Sequence, residues 1–341
     1  VLTQASLLGA ATAQASRLGT GPSDVYLSAM PLNHVGGLTC TVTTALVGGS
    51  TVVLPPAFSP ANALAYLEEY RATLVAGVPT MWTLMLNHES FPNRDTSTVR
   101  RAVVGGANAD PALCAAMAKG FPHARLVNLY GLSEVSGACV LSAVDDDLDT
   151  VSRTIGTPLE GVEARVVDLD GNDVGPGVEG ELLVRGPGSA VGYWEMPDAS
   201  AEVFLPDGWV ATGDIVAADP DGHLSIRGRR KEMFLQGGYN VYPVEVENVL
   251  TTHPGVAMAA GIGVPDPVLG EVGWYFVLAK PGHQLTEAEL TELCATKLAN
   301  YKVPKRIEFV DELPTTASGK VAKAVLRERW ARRNTPGERT G

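Results

Sequence analysis

The sequence has few cysteines, no excess of positive charge and no long uninterrupted apolar segment. Its four cysteines, at positions 40, 114, 139 and 294, have no paired spacing. Neither a disulfide framework nor a zinc site is therefore expected. We expect the protein to be in a reducing, cytoplasmic compartment. The formal net charge of -12 argues against a nucleic-acid partner, because phosphate backbones are bound through basic surfaces.

One stretch needs consideration as a membrane span. Residues 35–54 carry no charged side chain, but Gly48-Gly49 interrupts them and serine and threonine are frequent. A membrane-spanning helix needs about 20 mostly apolar residues. We therefore expect a buried helix followed by a buried strand here, and no transmembrane segment.

The chain begins with Val1 and has no signal peptide, so we expect it to start inside a longer protein. Its 341 residues suffice for one large domain and a smaller one. After Ser50, apolar runs alternate with helical segments that open at Ser59-Pro60, Pro79 and Asp110-Pro111. This alternation predicts an α/β fold with a mostly parallel βαβ sheet layer.

Small residues and an aromatic ring follow three of the predicted strands. The strand ends carry Val78-Pro79, Gly105-Gly106-Ala107 and Tyr130-Gly131. In open α/β sheets, ligands bind beyond the carboxyl ends of the strands. A tight turn is the alternative for Gly105-Gly106, but its convergence with Tyr130 favours a nucleotide-shaped crevice.

The segment 128–134, NLYGLSE, places a hydroxyl and a carboxylate after one of these strands. Ser133 and Glu134 offer hard oxygen ligands of the kind that suit a Mg²⁺ bridging to a phosphate. A strand that ends in a glycine turn with solvated side chains is the alternative. Gly131 is expected to let the backbone pass close to a neighbouring group.

After Thr150 the sequence becomes rich in strand residues, with turns at Asp170-Gly171 and Asp221-Gly222. The ligand spacing of a calcium loop is absent, so hairpin turns are predicted. Asp214 lies inside a strand-like run, where a carboxylate needs a partner. The two hydroxyls of a ribose would satisfy it, and neighbouring backbone amides are the alternative.

A basic cluster at 228–231, GRRK, marks the predicted start of a small α+β domain. Thr286 and Glu289 predict a capping box for its middle helix. Lys320 directly precedes a predicted helix at 321–330, where a cation is disfavoured unless an anion arrives; a solvated lysine is the alternative. We predict a large domain at 1–228, made of a βαβ layer (1–150) and a β-rich subdomain (151–228), and a second domain at 229–341.

Together these motifs resemble the adenylate-forming (AMP-binding) superfamily, of the acyl-CoA synthetase or fatty-acid–CoA ligase type. The resemblance covers essentially the whole chain. It rests on PLNHVGG (31–37), VGGA (104–107), NLYGLSE (128–134), GELLVRGP (180–187), GYW (192–194), ATGD (211–214), GRRKEMFLQGGYNVYPVEVE (228–247) and PTTASGK (314–320). It implies an N-terminally truncated adenylate-forming enzyme fold with a mobile C-terminal domain.

The resemblance implies an acid–thiol ligase of fatty acid metabolism that uses ATP, Mg²⁺ and coenzyme A. A carboxylate attacks the α-phosphate of ATP, and a thiol then displaces AMP from the acyl-adenylate. Glu134 would hold the Mg²⁺, Lys320 would bridge the carboxylate and the α-phosphate, and His34 would lie near the acyl carboxylate. The implied nucleotide contacts are Gly106, Ala107, Asn108, Asn128, Tyr130, Gly131, Ser133, Asp214 and Arg229.

The resemblance also implies a conformational change between the two half-reactions. Lys231 would be the hinge about which the small domain rotates, and Gly237 and Gly238 would line the pantetheine tunnel. Such a domain delivers Lys320 for one step and removes it for the next. For His34, a histidine satisfied at a helix start is the alternative.

The phosphate loop of the family, which ends in Pro-Lys-Gly, does not occur in this sequence. We expect it, with the first third of the enzyme, before Val1. The chain would then be a fragment, or one half of a split protein with a missing N-terminal partner, and would adenylate poorly alone.

Three other functions stay open. The protein could load a separate carrier protein instead of free CoA, or it could be a non-catalytic remnant. The segment 131–135, GLSEV, also nearly matches a hydrolase nucleophile elbow centred on Ser133, although the second glycine is missing.

The acyl group is expected to be a medium or long aliphatic acid, or a hydrophobic ring-bearing one. This expectation rests on the small and apolar character of the implied pocket residues. They are Val35, Gly36, Gly37, Leu38, Val104, Gly105 and Leu129.

Overall fold

The structure is a computed structural model that describes residues 1–107, 109–315 and 321–334. The chain divides into two compact units, Val1–Ile226 and Arg227–Gly341. The helices are α1 (Gln4–Leu18), α2 (Val35–Gly37), α3 (Thr44–Gly48), α4 (Pro60–Glu69), α5 (Pro79–Leu86), α6 (Pro111–Gly120), α7 (Leu148–Arg153), α8 (Pro197–Val203), α9 (Pro243–Thr251), α10 (Glu287–Lys297) and α11 (Lys323–Asn334).

The strands form three sheets. They are β1 (Val25–Ser28), β2 (Thr51–Val53), β3 (Leu74–Gly77), β4 (Arg101–Gly105), β5 (Arg125–Leu132), β6 (Gly137–Leu141), β7 (Thr157–Pro158), β8 (Glu163–Val167), β9 (Glu179–Arg185), β10 (Val210–Ala218), β11 (Leu224–Arg229), β12 (Phe234–Gln236), β13 (Tyr239–Val241), β14 (Val256–Asp266), β15 (Gly270–Ala279) and β16 (Arg306–Phe309).

The main sheet of the first unit has the strand order β2-β1-β3-β4-β5-β6-β7. Neighbours are parallel from β2 to β5, and β6 and β7 continue the sheet antiparallel. The predicted parallel βαβ layer is thereby confirmed. Because the four central strands are parallel, their carboxyl ends lie on one edge of the sheet, where the site is expected.

Helices cover both faces of this sheet, because alternate side chains of each strand point to opposite sides. On one face, α4, α5 and α6 pack against Leu27, Val75 and Val104. On the other, α1 and the segment before α3 pack against Tyr26 and Val103. Parallel strands that are buried on both faces carry near-continuous apolar runs. This is why these strands can be predicted from the sequence.

The uncharged stretch 35–54 is helical and then extended, but its central turn is a π-helix, Leu38–Thr43, between α2 and α3. Threonine hydroxyls reinforce this turn: Thr41 donates to Gly36 O and Thr44 to Thr39 O, each at 2.9 Å. Burial was overpredicted, since β2 is the edge strand of the sheet and Leu46 is 68% exposed. Within the described residues, no helix is long and apolar enough to cross a membrane.

A second, antiparallel sheet with the order β11-β10-β9-β8 follows in the predicted β-rich segment. Its β8–β9 connection and the turn before β11 contain Gly171 and Gly222, with φ of 81° and 87°. These are left-handed conformations that glycine adopts without strain. Hairpin turns are therefore confirmed at both Asp-Gly pairs.

The second unit is built on a sheet with the order β13-β12-β15-β14, to which β16 adds in parallel beside β15. α9 and α10 pack on one side of it, and α11 contributes Leu326 to a separate cluster with β14.

Only half of the predicted capping box forms: Thr286 accepts from Glu289 N at 3.2 Å, but the Glu289 carboxylate lies 3.1 Å from His253 Nε2.

The last helix starts later than predicted. Val321 forms a β-bridge with Thr315, and Ala322 N donates to Pro314 O at 2.8 Å. The helix α11 therefore begins at Lys323, not at Val321. The predicted helix start at Val321 is wrong, and Lys320 lies outside the described residues.

Gly131 has a packing role that the sequence did not specify. A Cβ atom built on Gly131 would lie 1.8 Å from Gly137 O and 2.8 Å from the Cα of Ala138. The neighbouring group that the backbone approaches is thus the antiparallel strand β6. The absence of a side chain at this position lets β5 and β6 pair.

We expect Gly131→Ala to lower the free energy of unfolding by about 3 kcal/mol or more, because the added methyl group forces two paired strands apart. Urea denaturation measures this. Gly175→Ala is the matched control, since a Cβ there meets nothing within 4 Å. Equal stability of the two variants would contradict the packing role.

Candidate active site

The three predicted strand ends lie side by side on the main sheet. Gly77 pairs in register with Val104, and Gly105 with Leu129. Gly106 has a φ of 81°, so the chain turns sharply there in a conformation that favours glycine. The expected crevice edge therefore consists of short backbone turns rather than long side chains.

Two of the small pocket residues are required by packing. A Cβ on Gly105 would lie 2.6 Å from Leu129 O, and one on Gly37 would lie 2.3 Å from Pro31 O. Their size is explained by close backbone contacts. It therefore carries no information about the shape of the acyl group.

Tyr130 and Asp214 form the central contact of the first unit. The Tyr130 hydroxyl donates to Asp214 Oδ2 at 2.6 Å, and Asp214 is only 2% exposed. Burial, together with the negative charge of Asp214, raises the pKa of Tyr130 well above its usual value. The phenol therefore stays protonated and remains a donor to the carboxylate.

A β-bulge directs the Asp214 side chain towards Tyr130. The register between β9 and β10 shifts between Ala211 and Ile215. Within the bulge, Gly213 has a φ of 70°, and Thr212 Oγ1 donates to Leu182 O at 2.8 Å. Such a bulge redirects a side chain that would otherwise follow the alternation of the strand.

Glu134 has a second tyrosine as its partner. It lies in a 3₁₀ turn, Ser133–Val135, and its Oε1 accepts from the Tyr193 hydroxyl at 2.6 Å. Burial and the adjacent carboxylate raise the pKa of Tyr193 to about 12. Glu134 O also accepts from Ala190 N at 2.8 Å, so backbone and side chain are both fixed by the segment that carries Tyr193.

The donor set at this turn is compatible with Mg²⁺ but not with a cage made of protein ligands. Ser133 is exposed and lies next to the Glu134 carboxylate. Across the described parts of the chain, no group of three or more His, Cys, Asp or Glu side chains could hold a metal. One carboxylate and one hydroxyl suit an ion that keeps several waters and bridges to a phosphate.

His34 caps the short helix α2. Its Nδ1 accepts from Gly36 N at 3.0 Å, so the proton of the neutral ring is on Nε2. This is the local role expected for a histidine satisfied at a helix start. A role near an acyl carboxylate stays a prediction.

Asn128 is tied into the fold by its amide. Its Nδ2 donates to Thr154 O at 3.0 Å, and its backbone N donates to Ser142 Oγ at 3.1 Å. Asn128 is 7% exposed. It therefore links β5 to the segment that follows α7, and its predicted nucleotide contact is not tested.

Four predicted residues belong to the second unit. Arg229 ends β11, and Lys231 is exposed in the 3₁₀ turn Arg230–Glu232. Gly237 and Gly238 have φ values of 60° and 85° and form the two-residue turn between β12 and β13. This hairpin geometry demands φ > 0 at both positions.

Asn108, predicted to contact the nucleotide, lies outside the described residues, as does Lys320.

Sequence reasoning assigned no role to Tyr193 or Glu181. Tyr193 belongs to the GYW segment, which was used only for the resemblance, and it holds Glu134. Glu181 Oε1 accepts from Gly213 N at 3.1 Å and so supports the bulge. Neither contact can be predicted from the spacing of residues in the sequence, because each joins segments about 30 or more residues apart.

The hydrolase hypothesis is wrong. A nucleophile elbow holds its serine on a strained turn between a strand and a helix. Ser133 instead begins a 3₁₀ turn between two antiparallel strands, and Ser136, not Ser133, has a positive φ of 60°.

Comparisons with known proteins agree with the geometry. Residues 1–194 match the AMP-binding enzyme family, and residues 245–320 match the AMP-binding enzyme C-terminal domain. The chain belongs to the AMP-binding enzyme family.

Two curated relatives and one solved structure illustrate the similarity. A 3-[(3aS,4S,7aS)-7a-methyl-1,5-dioxo-octahydro-1H-inden-4-yl]propanoyl:CoA ligase of Mycobacterium tuberculosis is 40% identical over 305 residues, covering 89% of this chain and 58% of the relative. A long-chain-fatty-acid–CoA ligase of Yersinia pestis is 41% identical over 327 residues, covering 95% and 57%. ATP-bound MatB from Rhodopseudomonas palustris has a TM-score of 0.90 at 32% identity, covering 96% of this chain and 64% of that one.

The chain thus spans less than two thirds of the length of these curated relatives.

The Tyr130–Asp214 contact makes a prediction for alkaline stability. Below the ordinary phenol pKa of about 10, Tyr130 is neutral whether folded or unfolded. Above it the unfolded chain ionises first, so the free energy of unfolding falls by up to about 1.4 kcal/mol per pH unit for this group. We expect Tyr130→Phe to show a shallower decline, measured by urea denaturation across alkaline pH.

The control for this titration is Tyr239→Phe, whose ring is 60% exposed. It should keep the wild-type slope. Identical slopes for Tyr130→Phe and the wild type would contradict the assigned environment of Tyr130.

Proposed function

We propose that the protein carries out ATP-dependent ligation of a hydrophobic carboxylic acid to CoA through an acyl-adenylate. The observation that carries this proposal is the convergence of Tyr130, Asp214 and the Ser133-Glu134 pair at the carboxyl ends of parallel strands, in a chain of the AMP-binding enzyme family. The named relatives are CoA ligases, which supports the same reaction class.

The nucleotide would be held by the Tyr130–Asp214 pair and the adjacent strand ends. A carboxylate accepts from both hydroxyls of a ribose, and a tyrosine ring offers a face for the base. Gly106 and Ala107 leave room for the flat adenine ring. Arg229, from the second unit, is proposed as a further ribose contact.

Glu134 and Ser133 would hold the Mg²⁺ and the phosphate. Tyr193 donates to Oε1 of Glu134 and thereby fixes the direction of the carboxylate. When bound, Mg²⁺ would neutralise the negative charge of the phosphates. The Tyr193 hydroxyl stays protonated at neutral pH, because its pKa is raised to about 12.

The proposed reaction has two displacements. A carboxylate oxygen of the acid forms a bond to the α-phosphorus of ATP, and the bond to the leaving pyrophosphate breaks. The sulfur of CoA then forms a bond to the acyl carbon, the acyl–AMP bond breaks, and the thiol proton passes to solvent. Lys320 is proposed to stabilise the first transition state by its charge, and His34 to lie near the acyl carboxylate.

Residues 229–341, which make up nearly all of the second unit, are proposed to be the mobile domain, with 1–228 as part of the AMP-binding domain. Lys231 would be the hinge, and the Gly237-Gly238 turn would border the pantetheine path. For the acid, we propose a long aliphatic or ring-bearing hydrophobic molecule. The two curated relatives are named for acyl groups of these kinds.

Binding of AMP tests the nucleotide site directly, because AMP needs no contacts to β- and γ-phosphates. We expect saturable binding in calorimetry, and about tenfold weaker binding by Asp214→Asn, which loses an anionic acceptor. Asp145→Asn, at an exposed carboxylate, should bind normally. Failure of AMP to bind, or equal affinity of both variants, would overturn the nucleotide site.

Tyr193→Phe tests the metal arrangement. Removing the donor frees the Glu134 carboxylate to rotate, so the gain in ATP affinity on adding Mg²⁺ should shrink by about tenfold. ATP titrations with Mg²⁺ and with a chelator measure this gain. Tyr70→Phe, at the C-terminus of α4, is the control, and an unchanged Mg²⁺ effect in Tyr193→Phe would contradict the assignment.

A further inference from the structure

Within the second unit, the chain passes from an exposed to an ion-paired side chain immediately after Lys231. Lys231 is exposed, whereas the next residue, Glu232, is partly buried and ion-paired. Both lie in the same 3₁₀ turn, Arg230–Glu232. A change from exposed to anchored side chains within one residue defines where a hinge can end.

The anchor is a triad of charged side chains. Lys323 Nζ lies 2.8 Å from Glu232 Oε2 and 2.8 Å from Glu247 Oε1. The side chains are 14% exposed for Lys323, 27% for Glu232 and 14% for Glu247. The triad therefore has one ammonium between two carboxylates in a largely water-excluded place.

The triad joins four elements of the second unit. Glu247 belongs to α9, and its Oε1 also accepts from Gly261 N of β14 at 2.7 Å. Lys323 is the first residue of α11. The short turn that contains Glu232 is thus fastened to two helices and to the long central hairpin.

Electrostatics favour Lys323 as the central member. A cation at the first position of a helix is disfavoured by the helix dipole, and the two carboxylates offset this. Burial alone would lower the pKa of Lys323, but Glu247 and Glu232 outweigh burial, and the pKa is raised. The Lys323 ammonium is therefore charged at neutral pH.

The next anchor along the chain is apolar and lies on the sheet itself. Phe234 is 2% exposed. Its side chain covers Gly263 and Gly273, where an added Cβ would come within 2.4 and 3.1 Å of the Phe234 side chain, respectively. The ion-paired Glu232 therefore precedes this apolar anchor by two residues.

We propose that the Glu232–Lys323–Glu247 triad terminates the hinge, so that rotation of the second unit is confined to the residues before Glu232. Lys323 is then a positioning residue: it touches no substrate, but it keeps the turn and the start of α11 in one rigid body. The inference rests on the proposed function, in which the second unit rotates between two half-reactions.

Amide hydrogen exchange on the intact chain tests this without any need for catalysis. We expect Lys323→Met to accelerate exchange of residues 232–236 by about tenfold or more, because it removes the cation that joins two partly buried carboxylates. The amides of β14 and β15 should keep their wild-type rates. Lys323→Arg, which retains the charge, should restore the rates at 232–236.

Lys302→Met is the matched control, since it removes another Lys–Glu pair of the same unit, with Lys302 2.6 Å from Glu245. Exchange at 232–236 should be unchanged in it. If Lys323→Met proves too unstable, Glu232→Gln gives the same comparison with a smaller change. Unchanged rates at 232–236, or equal acceleration of β14 and β15, would overturn the proposal.

The two half-reactions provide the catalytic readout. Pyrophosphate exchange and thiol transfer from preformed acyl-adenylate should each lose about tenfold in kcat with KM unchanged, because no substrate contact is removed. A rise in KM with normal kcat would contradict a positioning role. If the wild type shows no thiol transfer from preformed acyl-adenylate, the proposed function fails, whereas the hydrogen-exchange result still decides the anchor.

Discussion

The hydrogen bond between Tyr130 and Asp214 is the interaction on which the first unit depends. It joins β5 of the main sheet to β10 of the second sheet, at 2.6 Å and with Asp214 almost fully buried. A buried carboxylate is costly unless it is hydrogen-bonded. The β-bulge at Thr212–Asp214 and the protonated phenol satisfy this requirement together, and the contact ties the two sheets to each other beside their shared apolar cluster.

The polar side chains that follow β5 lie close in sequence to this contact. Ser133 and Glu134 follow Tyr130 by a few residues, and the Glu134 carboxylate is held by a second tyrosine, Tyr193. The site thus uses the same pairing twice, with a phenol whose raised pKa keeps it protonated beside a carboxylate. Each carboxylate thus accepts a hydrogen bond from a neutral phenol, Asp214 from Tyr130 and Glu134 from Tyr193.

Much of the fold was predictable because parallel strands and proline-initiated helices leave strong local patterns. The sequence predicted that Asp214 needs a partner but did not predict the Tyr130 hydroxyl, which lies 84 residues away, and the ribose contact stays a prediction. The π-helical turn, the role of Gly131 and the start of α11 at Lys323 were missed. Each of these depends on a close backbone approach or on hydrogen bonds between residues five to eight positions apart, which periodicity does not encode.

Several predicted site residues have local structural roles that the sequence could not separate from function. His34 caps α2, Asn128 ties β5 to the segment after α7, and Gly237-Gly238 form a hairpin turn. These roles explain the residue types without a ligand. The functional case therefore rests on the match to the AMP-binding enzyme family, together with the placement of Asp214 and Glu134 beside Tyr130 and Tyr193.

A structure of the protein bound to a non-hydrolysable acyl-adenylate analogue tests the central claim most directly. The account predicts that the ribose hydroxyls contact Asp214, that the base lies against Tyr130 and the Gly106 turn, and that the phosphate mimic faces Ser133. An analogue bound elsewhere, with Tyr130 and Asp214 contacting only each other, would contradict it.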